Sequence, residues 1–327
     1  MSDRPFNKGL EHIGTDTWAY VQPDGSWGWS NAGLIRDGED SLLVDTLFDE
    51  RLTAEMLSVM QTNTGIGAGD ITTLVNTHAN GDHTFGNRLV KNAEIIASEA
   101  CREEMGDLPP QTVHAMLQNA PNMGEAGAFL QEIFAPFHFE GIELAMPTRT
   151  FRGSLDLRVG DRPVHLIEVG PAHTEGDTLV HVPDQKVIYT GDILFIGGTP
   201  IIWAGPVENW IKACDLILGL DVDVVVPGHG PITDKDGVRG VRDYLVYIDA
   251  EARKRFHAGM PVDQAVEDIA LKGFGSWSDA ERIVVNVHAL YGQFAGTLPE
   301  EPDLVDLFGK MARYRKQHGD PHAGHAH

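Results

Sequence analysis

The chain has 327 residues, a formal net charge of −23 and a hydrophobic fraction of 42%. This length is long for one domain and short for two large ones, and the apolar fraction allows a substantial core. The charge is opposite in sign to that of a groove for phosphate backbones, so we expect no nucleic-acid partner. Glycine accounts for 36 residues, above the usual ~7%, which indicates the many tight turns of a strand-rich fold.

The N-terminal sequence MSDRPFNKGLEHIG has no apolar stretch of the kind that a secretory signal needs. No apolar run approaches the ~20 residues that span a bilayer. Cys101 and Cys214 are far apart in sequence, so each is expected to be a free, buried thiol in a reducing compartment. We therefore expect a soluble, cytoplasmic protein with no membrane partner.

The first third of the chain alternates short strand patterns with Gly, Asn and Asp turns. Residues 22–29 contain PDGSWGW, which is typical of a hairpin tip, and RDGED joins two strand patterns within 32–49. Residues 51–63 have the apolar spacing of a helix. ITTLVNTH at 71–78 is predicted to be a buried strand.

The middle of the chain is predicted to be helical and irregular over 98–139, because Pro109, Pro110 and Pro121 interrupt it. From 149 onward a second set of strands follows, with the patterns TRTFRG, LDLRVG, VHLIEVG, DTLVHVP and KVIYTGD. WIKACDLILGL is predicted to be a helix and DVDVVVPGHG a strand that ends in a glycine turn. The chain beyond 235 is mainly helical to about 318. Two sheets with helices on their outer faces fit this order.

Four predicted strands end in loops that place His or Asp beside glycine. The segments ITTLVNTHANGDH, VHLIEVGPAHTEGD, KVIYTGD and DVDVVVPGHG supply His78, Asp82, His83, His173, Asp192 and His229. Loops carried by a rigid sheet are where sites are usually built, and imidazole with carboxylate is a ligand set for Zn, Fe or Mn. One such histidine alone is more often a satisfied loop residue. The whole set instead predicts two neighbouring metals, or one metal with further polar groups around it.

The order HANGDH, AHTEGD, TGD and PGHG resembles the metallo-β-lactamase-fold hydrolases, in particular the glyoxalase II type. Their signature is HxHxDH, then a distal His, a bridging Asp or Cys, and a last His. The resemblance runs from about residue 12 to about 235 and implies an α/β fold, a four-layer αββα sandwich with metals at the edge between the sheets. We expect four parts: a catalytic domain at 1–235, a helical insert within it at about 99–147, a helical C-terminal extension at 236–317, and a His-rich, disordered tail at 318–327.

Carried over position by position, the resemblance assigns two metal sites. It places His78 and His173 in the first site, Asp82, His83 and His229 in the second, and Asp192 as a bridge between them. Asp45, in VDT at 44–46, would steady the 78–83 loop by hydrogen bonding. Asp82 and Asp192 would also orient a metal-activated water and hold its proton, which makes them the candidate catalytic residues. No organic cofactor is expected.

Asn80 departs from the family pattern, because it occupies the position of the second histidine of HxHxDH. An amide oxygen is a weaker ligand for zinc than imidazole. The interpretations are one metal in the second site, two metals with the first bound weakly or of a harder type, or a degenerate, inactive site. A further interpretation is that Asn80 and Gly81 simply make the loop turn. We expect one or two zinc ions, with Fe or Mn as alternatives.

Asp192 stands where most β-lactamases of the family have cysteine and where its thioesterases and lactonases have aspartate. The following loop, ILFIGGTPIIWAGP, contains no Lys or Arg, which favours a neutral or apolar substrate, although packing against helices explains it equally well. Trp27 and Trp29 fit either an aromatic flap or support of a turn, and the insert fits either a lid or a helical cover. Asn286 and His288 lie in the helical pattern RIVVNVHALYG, where a histidine is more often core than ligand.

The resemblance implies a metal-dependent hydrolase that cleaves an ester, lactone or thioester of a small, fairly apolar molecule. The alternatives are amide or β-lactam opening, an iron-dependent oxidoreductase on the same fold, and a non-catalytic metal-binding protein. A homodimer is expected only because dimers are common. The tail histidines can scavenge metal, but adventitious binding at a disordered terminus is the simpler interpretation for His318, His322, His325 and His327.

Overall fold

The computed structural model describes residues 6–296 and 303–319. Its strands form two sheets. The first sheet contains, in both spatial and chain order, β1 (Gly9–Gly14), β2 (Thr17–Val21), β3 (Ala32–Asp37), β4 (Asp40–Val44), β5 (Thr73–Val75), β6 (Glu94–Ser98) and β7 (Arg149–Phe151). The second contains β8 (Ser154–Val159), β9 (Arg162–Glu168), β10 (Thr178–Val182), β11 (Val187–Tyr189) and β12 (Val224–Val226).

The helices of the described ranges follow in the same chain order. They are α1 (Glu50–Thr64), α2 (Gly81–Thr84), α3 (Glu99–Glu104), α4 (Pro110–Asn119), α5 (Gly124–Phe134), α6 (Val207–Gly219), α7 (Lys235–His257), α8 (Val262–Asp268), α9 (Ile283–Ala295) and α10 (Leu304–His318). The predicted helix at 51–63 is α1, which starts where the Asp49 carboxylate accepts the Leu52 N–H at 2.6 Å. It ends at Gly65, whose φ of 81° is a conformation that glycine adopts without strain.

Both sheets change from antiparallel to parallel pairing at the strands that lead to the candidate site. Strands β1 to β4 pair antiparallel, and β4 to β7 pair parallel. In the second sheet β8 to β11 pair antiparallel, and β11 pairs parallel with β12. The TRTFRG strand is therefore the last strand of the first sheet, with Arg149 opposite Ile96, and the second set begins only at Ser154.

Alternating side chains explain why each sheet is covered on both faces. On β4, Leu42 lies in the apolar cluster between the two sheets, whereas Leu43 packs with Met56 of α1 on the outer face. The second sheet alternates in the same way, and its outward-facing Leu179 and Ile188 pack in one cluster with α6 and α7. The architecture is the predicted four-layer αββα sandwich with further C-terminal helices.

The insert packs as a helical cover and not as a free lid. It contains α3, α4 and α5, and α5 packs along α10. Phe129 of α5 belongs to the same buried cluster as Trp27. Further along, the Phe137 ring lies 4.9 Å from the Phe48 ring in the cluster that covers the outer face of the first sheet. The insert thus joins the hairpin at 22–29 to the C-terminal helices.

The C-terminal helices begin with α7 and share a core with the second sheet. Lys235 is the first residue of α7, with Asp234 as its N-cap. His318, predicted to start the tail, is the last residue of α10 and bonds Glu267 at 2.9 Å. Residues 320–327 of the predicted tail lie outside the described residues.

Within 6–296 and 303–319, no helix is both long and apolar enough to cross a membrane. Cys101 and Cys214 are buried, free thiols, as expected. Burial raises the pKa of both thiols, that of Cys214 to about 12. Because the thiolate is the nucleophilic form, neither cysteine is suited to covalent catalysis.

Candidate metal centre

The six ligand-type residues predicted from the sequence lie together where β5, β11 and β12 end. The loop after β5 and the single turn α2 carry three of them, and the loop between β9 and β10 carries a fourth. The remaining two follow β11 and β12. The residues, in chain order, are His78, Asp82, His83, His173, Asp192 and His229.

All four histidines make the same kind of contact through Nδ1, and this contact determines which ring nitrogen faces the centre. Each Nδ1 lies within hydrogen-bond distance of an oxygen outside the centre: Thr77 Oγ1 for His78 (3.0 Å), Asp45 Oδ2 for His83 (2.9 Å), the Ile201 carbonyl for His173 (2.7 Å) and the Gly25 carbonyl for His229 (3.1 Å). Carbonyl and carboxylate oxygens only accept, and Thr77 Oγ1 already donates to Asp45. Nδ1 is therefore the protonated nitrogen of each neutral ring, and Nε2 presents a lone pair to the centre.

Asp192 is the carboxylate on which the four Nε2 atoms converge. Its side chain is only 4% exposed, and Oδ1 lies 3.1 Å from His83 Nε2. Oδ2 lies 3.3 Å from His229 Nε2, 3.4 Å from His173 Nε2 and 3.7 Å from His78 Nε2. This position between all four imidazoles is the one that the resemblance gives to a bridging ligand.

Asp82 lies on the more open side of the centre. Its side chain is 13% exposed, against 0% for His83 and 4% for His229, and its Oδ2 is 3.2 Å from His229 Nε2. The Asp82 backbone carbonyl accepts a hydrogen bond from Ser30 Oγ, which ties this turn to the loop after Trp29. A small molecule would therefore approach the centre past Asp82.

Asn80 points its side chain into the centre. Its Oδ1 lies 3.1 Å from His173 Nε2. Asn80 is the N-cap residue of α2, but its side chain makes no capping hydrogen bond. The interpretation that Asn80 only forms the turn is therefore incomplete, because the amide oxygen occupies space beside the first-site histidine.

Burial and neighbouring charges shift the pKa values of the residues at the centre in different directions. Burial lowers the pKa of His78 and of His173 below the usual range. Burial acts in the same direction on His229, but the Asp192 and Asp82 carboxylates outweigh it and raise the pKa of His229 to about 9. Burial opposes ionisation of Asp192, yet the imidazoles, His229 first, hold the pKa of this carboxyl well below its usual range. Asp192 is thus ionised at neutral pH, and a bound divalent ion would replace the protons that His83 and His229 otherwise hold beside it.

Unsatisfied atoms test whether these residues fit a metal. Among the described residues, His78 Nε2, His83 Nε2 and Asp192 Oδ1 are buried side-chain atoms without a hydrogen-bond partner, which is unusual in a folded protein. Two groups of ligand atoms lie within 4.8 Å of one another, namely those of His78, His83 and Asp192 and those of Asp82, His83 and His229. His83 belongs to both groups, although the resemblance assigned it to the second site. Imidazole nitrogen with carboxylate oxygen suits a divalent ion such as Zn, Fe or Mn, so the residues fit.

The loops are held by polar contacts from neighbouring strands. Asp45, at the end of β4, accepts the Thr77 N–H and the Thr77 hydroxyl, both at 2.7 Å, and also contacts His83 Nδ1. These are the hydrogen bonds expected to steady the 78–83 loop. A side chain at Gly228 would place Cβ 1.9 Å from Asp192 Oδ1, so the PGHG turn needs glycine there.

A buried charged cluster behind the centre was not predicted from the sequence. Arg282 is 2% exposed, and its guanidinium lies over the rings of Trp27 (4.4 Å) and Phe195 (5.2 Å). Phe195 in turn stacks on the His229 ring at 5.0 Å. Trp27 Nε1 donates to Glu281 at 3.0 Å, so this tryptophan supports its turn. Adjacent Glu and Arg are usually solvent-exposed, and no local pattern separates this pair from an exposed one.

Partly buried tryptophans flank the centre from two different loops. The Trp203 N–H donates to the His173 carbonyl at 3.1 Å, and its ring packs at the margin of the large core cluster. Trp29 precedes Ser30, whose hydroxyl holds the Asp82 backbone, and is also partly buried. Trp203 thus adjoins the His173 loop and Trp29 adjoins the residue that holds Asp82, whereas the aromatic rings that contact the His173 ring are those of Phe195 (5.6 Å) and Trp210 (5.7 Å).

The fold and the site together define a class, that of αββα proteins with a His and Asp centre between two sheets. The sequence model of the metallo-beta-lactamase superfamily matches residues 25–229. The chain belongs to the metallo-beta-lactamase superfamily, a family of metal-dependent hydrolases.

Relatives of known name are enzymes with different substrates. The 2,4-dinitroanisole O-demethylase subunit alpha from Nocardioides sp. (strain JS1661) is 34% identical over 88 residues, 25% of this chain and 26% of that subunit. The acyl-coenzyme A thioesterase MBLAC2 of Bos taurus is 22% identical over 211 residues, 61% of this chain and 72% of the thioesterase. The match thus spans about a quarter of the demethylase subunit.

A solved structure extends the likeness through the C-terminal helices. The stereoselective inverting sec-alkylsulfatase Pisa1 from Pseudomonas sp. has a TM-score of 0.70 at 15% identity. It covers 90% of this chain, and this chain covers 51% of the sulfatase. At this identity the likeness shows a common fold.

Proposed function

We propose that the protein is a metal-dependent hydrolase that cleaves an ester, lactone or thioester of a small, fairly apolar molecule. The observation that carries the proposal is the convergence of four imidazole Nε2 atoms on Asp192, with every Nδ1 engaged outside the centre. Imidazoles oriented in this way present their lone pairs to a divalent ion. Such an ion, when bound, supplies Lewis acidity and makes water acidic enough to act as a nucleophile at neutral pH.

We further propose zinc as the ion, with Fe or Mn as alternatives. The first site would use His78, His173, Asp192 and the amide oxygen of Asn80, and the second would use Asp82, His83, His229 and Asp192. The contact of 3.1 Å between Asn80 Oδ1 and His173 Nε2 supports two ions over a single one in the second site. The first would be bound more weakly, because an amide is a poorer ligand than imidazole.

We propose different roles for the carboxylates of Asp82 and Asp192 in handling the attacking water. Asp82, the more exposed of them, would accept the proton of the attacking water at the open side of the centre. Asp192, held ionised by the surrounding imidazoles, would orient the nucleophile. His229 keeps its place through the Gly25 carbonyl and the stacked Phe195 ring, so the second site does not depend on substrate for its geometry.

The surroundings favour an uncharged substrate with an apolar group. The rings of Phe195 and Trp210 contact His173, and the loop at 193–205 contains no Lys or Arg. The acyl-coenzyme A thioesterase among the relatives supports thioester cleavage within this class. The net charge of −23 weakens binding of a polyanion, which favours smaller esters and lactones over coenzyme A adducts or nucleic acid.

Substitution of second-site residues tests the ligand assignment. Asp82→Ala and His229→Ala should lower the metal content of freshly purified protein and reduce turnover by at least about 100-fold, since both remove a ligand and Asp82 also handles the proton. His181→Ala is the matched control, because His181 is a buried histidine of β10, 8% exposed, that lies outside the centre. Retained activity with full metal content in either ligand variant would refute the assignment.

A substrate panel tests the reaction class. Elemental analysis of the purified protein should find zinc, and aryl esters, lactones and short thioesters should be cleaved with a rate that follows metal content. The same panel should contain a β-lactam, a secondary alkyl sulfate and a nitroaryl methyl ether. Preferred cleavage of one of these three would replace the proposed substrate class. Iron together with oxygen consumption would indicate an oxidoreductase instead.

A further inference from the structure

We propose that Asn286 of α9 is a positioning residue for His173, so that the C-terminal helices form part of the support of the metal centre. The inference rests on the proposed role of His173 as a ligand. It concerns which nitrogen of the His173 ring carries the proton, which can be measured without any substrate.

The Asn286 side chain is fully buried, and each of its amide groups has a partner. Oδ1 accepts the Ile202 N–H at 2.8 Å, and Nδ2 donates to the Pro200 carbonyl and to Tyr244 Oη, both at 2.8 Å. Turning the amide over would place donor against donor at Ile202 and acceptor against acceptor at Pro200. Only one orientation of Asn286 satisfies these groups.

The peptide group that Asn286 holds is the one that orients His173. The Ile202 N–H and the Ile201 carbonyl belong to a single planar peptide unit, so they point in opposite directions from it. Asn286 Oδ1 takes the N–H on one side, and His173 Nδ1 lies 2.7 Å from the carbonyl on the other. The carbonyl can only accept, so this contact places the ring proton on Nδ1 and leaves Nε2 free to bind an ion.

Further hydrogen bonds hold both ends of the segment 199–204. Arg282, four residues before Asn286, donates to the Thr199 carbonyl at 2.9 Å. On the far side, the backbone N–H groups of Trp203 and Ala204 both donate to the His173 carbonyl at 3.1 Å. The segment 199–204 is therefore fixed by the C-terminal helices at its start and to the His173 loop at its end.

The test compares Asn286→Ala with Gln293→Ala. Gln293 is a matched control, because it lies on the same helix and its Oε1 accepts the N–H of Val207, the first residue of α6, at 3.2 Å, beyond the segment that contacts His173. Ring ¹⁵N shifts of labelled protein, assigned with His173→Gln, report the tautomer, and a zinc titration reports affinity at each site. Asn286→Ala should mix the tautomers of His173 and weaken the first ion by about 10- to 100-fold, with the second ion unchanged. Gln293→Ala should change neither.

Two further variants separate positioning from general stability. Asn286→Asp keeps an acceptor for the Ile202 N–H, and its buried carboxyl, when protonated, still donates to the Pro200 carbonyl, so this variant should preserve the wild-type tautomer of His173. Tyr244→Phe removes only one acceptor of the Asn286 amide, so it should fold and weaken the first ion by roughly threefold.

For a folded Asn286→Ala variant, equal loss of affinity for both ions would overturn the proposal, and so would unchanged ¹⁵N shifts of the His173 ring. If the alanine variant does not fold, an unchanged affinity of the first site in Tyr244→Phe would overturn it. If the wild-type protein binds a single ion, the ¹⁵N shifts of the His173 ring alone test the proposal. Absence of any hydrolysis would refute the proposed function and leave this result standing.

Discussion

Asn80 directs its amide oxygen at His173 Nε2 instead of using it to cap α2. An N-cap asparagine usually accepts a backbone N–H of the first turn, and giving up that bond costs about 1 kcal/mol of helix stability. Because His173 Nε2 also presents a lone pair, this approach places two electron-pair donors side by side, as two ligands of one ion would be. Under the proposed ligand assignment, Asn80 would belong to the first site, and its weak donor strength would limit how well that site holds an ion.

Asn80→His should convert the first site to the full imidazole set. We expect the first ion to bind roughly tenfold tighter or better, because imidazole is the stronger ligand for zinc. Zinc stoichiometry after dialysis against a weak chelator measures this change. Asn92→His, an exposed substitution of the same kind, controls for adventitious binding. A zinc count equal to that of the wild type would show that Asn80 does not limit the site.

At the scale of elements, α3 supports the loop that carries His173. Glu104, the last residue of α3, accepts the Glu175 N–H at 3.1 Å, and burial raises the pKa of its carboxyl from 4.5 to about 7. Asp177 in the same loop accepts the N–H and the hydroxyl of Thr174, and burial raises its pKa well above the usual range. Protonation of the Glu104 and Asp177 carboxyls therefore stabilises the packing of α3 on the loop.

Glu104→Gln should remove a pH dependence of stability. Between the unfolded pKa of 4.5 and the folded pKa of about 7, the native state binds a proton that the unfolded chain has lost. Raising the pH through this window therefore lowers the free energy of unfolding. Above the window, the loss amounts to on the order of 3 kcal/mol. Glutamine keeps the acceptor for the Glu175 N–H and does not titrate, so the variant should gain on the wild type as the pH rises.

Urea denaturation at several pH values between 4.5 and 8 measures the difference. Glu103→Gln, a change at the exposed neighbouring residue, should run parallel to the wild type. Parallel curves for Glu104→Gln as well would show that this carboxyl titrates normally in the folded protein.

At the scale of the whole molecule, the C-terminal helices complete the core of the second sheet. One buried cluster contains Ile188 of β11, Trp210 of α6, Tyr244 of α7, Leu290 of α9 and Phe129 of the insert. The same helices hold the segment 199–202 through polar contacts. Catalytic sandwich and extension are therefore expected to fold as one cooperative unit.

Removal of residues 235–327 should yield an insoluble or unfolded chain. The truncation exposes the apolar faces of α6 and the second sheet, a patch far larger than monomeric proteins tolerate. Soluble yield and a thermal unfolding curve measure the effect. Deletion of 320–327 alone serves as the control and should leave folding and metal content unchanged. A soluble, cooperatively folding 1–234 fragment would show that the sandwich is independent.

The residues that lie together at the centre were predictable because each follows a strand pattern closely in the chain, and the layer order was predictable from the family that these motifs resemble. Strand patterns that alternate or are wholly apolar report burial directly, and each strand was followed by its His or Asp within a few residues, as in His78 after β5 and His229 after β12. The sheet to which Arg149–Phe151 belongs was not predictable. A strand pattern states that a segment is extended, and only pairing with β6 decides its sheet.

The sequence by itself determined the residues that could serve as ligands, since these follow from residue type and spacing, and through its resemblance to a known family it also determined the αββα layers. Only the tertiary structure decided that Asn80 faces His173, that Arg282 is buried against Phe195, and that Asn286 holds the peptide that orients His173. Each of these contacts joins residues more than 80 positions apart. No local pattern encodes such a contact, because the packing of distant segments creates it. The turn α2 lies beside the loop between β9 and β10 for Asn80, and α9 with the residue before it packs against the loop after Asp192 for Asn286 and Arg282.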